Sequence, residues 1–169
     1  VSDAVRRTSN SVPVGISIND VWANYTTNDE GSETSVSFEA LTDGYADTLG
    51  YINSGYADFI IVKADGSLSS QSMPFEEVAG WWDRQAQSAG VPMMIDHINE
   101  KICTDSTGWG SPDELVKQVI KADDYSSYIG SIFNSLSALD ANTEESTSVL
   151  VKHYNDQIDR EGLNNELEM

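Results

Sequence analysis

Few side chains in this sequence could serve as a nucleophile or a soft metal ligand. The 169-residue chain has two histidines, His97 and His153, and one cysteine, Cys103. A cysteine nucleophile needs a histidine within hydrogen-bond contact and a third group that orients it. Pro92 reads as the opening of a helix carrying Asp96, His97 and Ile102. Adjacent side chains on a helix do not face each other, so Asp96 cannot orient His97 there. Cys103 follows beyond direct reach of His97 and reads as a buried, inert thiol. His153 shares a helix face with Asp156, with Tyr154 beside it. A metal held there would need further ligands, such as His97.

The loop motifs are incomplete. Asp140, Asn142 and Glu144 alternate like the first ligands of a calcium loop. Glu145 stands where that loop requires glycine, and Val151 where it closes on glutamate. No glycine-rich run leads into Lys-Ser or Lys-Thr, and Gly-x-Ser-x-Gly is absent. The expectation is no catalytic residue, no metal and no cofactor.

Acidity is the strongest compositional signal. Asp and Glu number 28 against 9 Lys and Arg, for a net charge of −19. Residues 8 to 62 contain no Lys or Arg. Such a field repels nucleic-acid phosphates and anionic lipid, and favours a protein partner with a basic surface. Glu76 and Glu77, Asp113 and Glu114, and Glu144 and Glu145 fall in expected first helical turns, where they complement the helix dipole. The remaining acids are scattered, as on a solvated face. A dense, aligned row would instead imitate duplex DNA, which carries one charge per ~1.7 Å of axis. Candidate partner-binding residues are Arg6 and Arg7 near the start, Trp81 beside a core-facing Trp82, and Trp109 between two glycines.

The elements expected to position these residues are mostly helical. Phe38, Leu41, Tyr45, Leu49 and Ile52 form one helical stripe. Phe75, Val78, Ala79, Trp82 and Ala86 form another, opened by Pro74 and stopped by Gly90. Ser111 with Glu114 reads as a capping box, and Asn142 with Glu145 repeats it. Tyr125, Tyr128, Ile129, Ile132, Phe133 and Leu136 make an amphipathic helical pattern. Leu150, Val151, Tyr154 and Ile158 carry a last helix to Gly162. Asp58 to Lys63 is the best strand, with Phe59, Ile60, Ile61 and Val62 in a row, and Asp65-Gly66 would turn it into a hairpin returning through Ser67–Ser72.

The expected fold is α+β and mainly α, a bundle of four to six helices with one central β-hairpin. Residues 1–14 form an extended arm, 15–162 one globular domain and 163–169 an acidic tail. A single cysteine forbids an intramolecular disulfide. No apolar run approaches the ~20 residues of a membrane span, so the chain is expected to be soluble. The function expected from these features is a non-catalytic interaction or assembly protein within a homo- or hetero-oligomer, such as a virion component. One alternative is a DNA-mimicking inhibitor. The other is an enzyme whose site is assembled from distant carboxylates.

Overall fold

The computed structural model describes residues 1–9, 11–104 and 108–161; the acidic tail at 163–169 lies outside them. In chain order the elements are α1 Ser2–Thr8, β1 Gly15–Ile18, α2 Thr48–Asn53, β2 Phe59–Ala64, α3 Phe75–Ala89, β3 Met93–Ile98, α4 Glu114–Ala122, β4 Tyr128–Asn134, α5 Leu136–Ala141 and α6 Ser146–Glu161.

Helix α3 follows its sequence closely. Phe75, Val78, Ala79, Trp82 and Ala86 are all buried on one face. Pro74 precedes it in the extended region, and Glu76 and Glu77 lie in the first turn. Gly90 ends it at φ 69°, its N–H bonding to the carbonyls of Ala86 and Gln87. That left-handed stop suits glycine because no Cβ meets the carbonyl.

The four strands form one parallel sheet in the order β1-β2-β3-β4. This α/β architecture replaces the expected helical bundle with a hairpin. Two segments account for the difference. The segment after Pro92, read as a helix through Ile95, Ile98 and Ile102, is strand β3. Tyr128 to Asn134, read as an amphipathic helix, is strand β4. Short apolar runs satisfy helical and strand periods alike, and their partners decide between them. The Asp65-Gly66 dipeptide makes no hairpin. The chain leaves β2 through residues 65–74 into α3, and a Cβ on Gly66 would sit 1.8 Å from the Met73 carbonyl oxygen.

The long connection from β1 to α2 is largely irregular and is held by Asn24. Its Oδ1 accepts from the Val36 N–H at 3.0 Å and the Thr34 hydroxyl at 2.9 Å. Its amide donates to the Val36 carbonyl and the Glu39 carboxylate. Such side-chain bonds satisfy backbone groups that no ladder reaches.

Side chains alternate across a sheet. Ile18, Ile60, Val62, Ala64, Met93 and Ile95 point one way, into a core with Ile52 of α2, Val78 and Trp82 of α3 and Ala122 of α4. Phe133 meets Tyr154 of α6 on the same side, the rings edge-on at 6.5 Å. Phe59, Ile61, Met94, Ile98 and Ile132 point the other way, half-buried and outside that core.

Candidate active site

In parallel α/β architectures, ligand sites lie at the carboxyl ends of the strands. Here the first three strands each deliver an acid to that edge. Asp20 follows β1, Asp65 follows β2, and Asp96 lies within the last turn of register of β3, paired with Lys63. Asp96 takes the face opposite the helices, in the alternation that puts Ile95 and His97 into the core.

Asp96 is 7% exposed, and its Oδ1 has no hydrogen-bond partner among the described residues. Burial pushes its carboxyl above the ordinary value of 3.8; Lys63 and a hydrogen bond from Asn134 of β4 oppose that, and the charge of Asp65 adds to it. Asp20 is shifted upward as well, again chiefly by burial, with the Val21 N–H opposing and Asp65 adding. Asp65 is thus felt by both neighbours. Lys101, in the turn after β3, donates to the Asp65 backbone carbonyl at 2.9 Å and lies 3.7 Å from its carboxylate. Asp65, Ser67, Met73, Lys101 and Trp109 line a cavity of about 200 Å³ beside this edge. A buried carboxyl with a raised pKa is suited to donating a proton in this setting.

His97 occupies the other face and is fully buried, its ring stacked between Phe75 at 5.8 Å and Phe133 at 5.3 Å. Burial pushes its pKa down to about 4, so the ring is neutral at pH 7. Its tautomer follows from its neighbours. The Gln118 amide nitrogen faces two acceptors, Glu114 Oε1 at 2.9 Å and the Gly66 carbonyl at 3.4 Å. Gln118 Oε1 therefore accepts from His97 Nδ1–H at 2.9 Å, and His97 Nε2 accepts from the Ser131 hydroxyl at 2.8 Å. Glu114 Oε1 also accepts the Leu68 N–H at 2.7 Å. This chain of bonds ties β4, β3 and α4 to the loop that follows Asp65. Glu114 therefore turns inward. The expected capping box with Ser111 does not form; Ser111 accepts instead from the Asp113 N–H at 3.3 Å.

The other sequence candidates lie elsewhere. His153 sits on α6, its ring edge-on to Tyr154 at 5.6 Å. Among the described residues no group of three or more His, Cys, Asp or Glu is placed to hold a metal ion. Cys103 is half-buried with Sγ 3.8 Å from the Thr143 carbonyl, and burial raises its pKa, with Glu144 adding. Arg6 pairs with Asp58 at 2.8 Å, just before β2 and so at the opposite end of the sheet. Arg7 is exposed. Trp81 is 4% exposed and donates to the Glu30 carbonyl at 3.0 Å; it stacks on Trp22 at 5.9 Å. Trp109 is 2% exposed and packs with Ile102 and Leu115. Both indoles are inside the chain and offer no exposed anchor.

Sequence reasoning passed over Asp20, Asp65 and Asp96 as a group. The available signal was positional: each acid stands at the end of a short apolar run, in Gly15–Asp20, Phe59–Asp65 and Met93–Asp96. Assigning Asp96 to a helix hid it.

No family model matches the sequence. It is similar to a protein named Glycosyl hydrolase YngK from Bacillus subtilis strain 168, with 27% identity over 143 residues. That match covers 84% of this chain and 28% of the relative, so the chain spans less than a third of the relative's length. Similarity to a protein so named, on a parallel α/β sheet, overturns the expectation of a non-catalytic assembly protein. The virion and helical-bundle expectations fall with it, and an enzyme built on carboxylates is the reading that this similarity favours. Among the described residues no helix is long and apolar enough to cross a membrane.

Proposed function

We propose that this chain supplies the acid-bearing edge of an active site that hydrolyses glycosidic bonds. The observation that carries the reading is Asp96, a buried carboxyl with an unpartnered oxygen at the carboxyl end of a parallel sheet. Glycoside hydrolysis commonly uses two carboxyl groups, one of them a proton donor whose pKa is raised by its surroundings. Asp96 has that character. It would protonate the glycosidic oxygen as the bond to the anomeric carbon breaks, the leaving group departing as an alcohol while water adds its hydroxyl to that carbon and gives its proton to Asp65. Asp65 stands as the partner carboxylate, close enough for its charge to act on Asp96 and anchored by Lys101. The similarity to a protein named as a glycosyl hydrolase supports the same class.

The test is hydrolysis of paired aryl glycosides, one leaving group poor and one activated. An activated leaving group departs without a proton. Asp96→Asn is expected to lower turnover of the poor leaving group by about 10²–10⁴-fold and to spare the activated one. Equal rates for wild type and variant on both substrates, or an equal loss on both, would overturn the assignment.

A further inference from the structure

We propose that the face of the sheet opposite the helices is the inner wall of a closed parallel barrel, and that it docks further β/α units of the same polypeptide. All-parallel sheets occur almost only with both faces covered. Here α2, α3, α4 and α6 all lie on the face of Ile60, Val62, Ile95 and Phe133. Phe59, Ile61, Met94 and Ile132 are left outside the core, an apolar strip on the other side.

The strand order says what kind of cover fits. A doubly wound sheet reverses its strand order and places its own helices on both faces. This sheet runs β1-β2-β3-β4 without reversal, so its crossovers stay on one side. A singly wound parallel sheet completes itself by adding strands until the edges meet, and its inner face then fills with interdigitated side chains. The side chains suit that filling. Ser17, Ile61, Met94 and Gly130 lie across the sheet at neighbouring register positions, mixing small and large. The Phe59 ring lies over Gly15, where a Cβ would come within 2.2 Å of it. Lys63 and Asp96 follow at the carboxyl edge, where such barrels carry their chemistry.

A second copy of this chain is a poorer occupant. Closing the face with it would bring together two bodies each of net charge −19. The matched stretch is 28% of the Bacillus relative, which leaves that protein ample length for additional units.

This inference stands on the open face and does not need the role given to Asp96. Its test uses the 169-residue chain alone. With its cover absent, the chain is expected to bind the neutral apolar dye Nile red, and its β4 amides to exchange about tenfold or more faster than those of β3. Ile61→Ser combined with Ile132→Ser is expected to cut dye emission several-fold while far-ultraviolet circular dichroism and tryptophan emission stay unchanged. Should that pair disturb the fold, Met94→Ser offers a milder version of the same readout. Association without fixed stoichiometry that the serine pair abolishes also supports the proposal. A discrete dimer that excludes the dye would assign the face to a second copy and overturn it. So would a monomer that excludes the dye with β4 amides as protected as those of β3.

Discussion

Asp96 and His97 are adjacent in sequence and occupy opposite faces of one strand, and the two faces handle a titratable group differently. On the helix face His97 has both ring nitrogens bonded and an aromatic ring on either side. On the open face Asp96 keeps an oxygen with no partner among the described residues. Burial favours the neutral form of each, lowering the histidine and raising the aspartate. The helix face thus spends its polar groups on holding the fold together. The open face leaves one buried and without a partner among the described residues.

The largest effect expected from disturbing that contrast is on the helix face. Trp82 is fully buried, and its indole N–H bonds the Asp20 carbonyl at 2.7 Å. Trp82→Ala is expected to destabilise by about 3–5 kcal/mol in denaturant titration, through the cavity and the lost bond.

Acid should then separate the neighbours by sign. His97 has a folded pKa near 4 against an ordinary 6.5, so the unfolded state binds more protons between these values. Stability from this residue is complete above about pH 6.5 and is lost as pH falls toward 4, by about 3 kcal/mol. Asp96 has a raised pKa, so its cost to the folded state is present at neutral pH and disappears on acidification. His97→Asn is expected to remove the first dependence, and Asp96→Asn to stabilise the chain at pH 7 but not below 3.8. Both follow from denaturant midpoints measured across pH.

Gln118→Leu sharpens the comparison further. It would strand His97 Nδ1–H and one bond of Glu114 in the interior. A loss of about 1–3 kcal/mol is expected, with faster exchange of the Leu68 amide. The smallest effect belongs to Lys63, exposed on the open face beside Asp96. Lys63→Met is expected to leave stability within about 0.5 kcal/mol and to raise the Asp96 pKa further.

The same contrast explains which features could be read from sequence. Helix α3 was legible because fifteen residues repeat one period between a proline start and a glycine stop. Strands β3 and β4 have six and seven residues, too few for periodicity to separate strand from helix. Their identity comes from pairing with β2 and with each other, which is a tertiary fact. The carboxylate edge was illegible for a related reason. Asp20, Asp65 and Asp96 are far apart in the chain and come to one edge only because three strands end near one level, where the charge of Asp65 reaches each of the other two. Trp81 and Trp109 look like surface anchors in sequence, but their neighbours in space bury them.

Asp96 is a buried carboxyl whose surroundings make it hold its proton more tightly than usual. Carbon-detected NMR titration of its side chain, in the wild type and in Asp65→Asn, measures this directly. The expected result is a midpoint above 3.8 in the wild type that moves down when the Asp65 charge is removed. A midpoint at or below 3.8, indifferent to Asp65, would contradict the account.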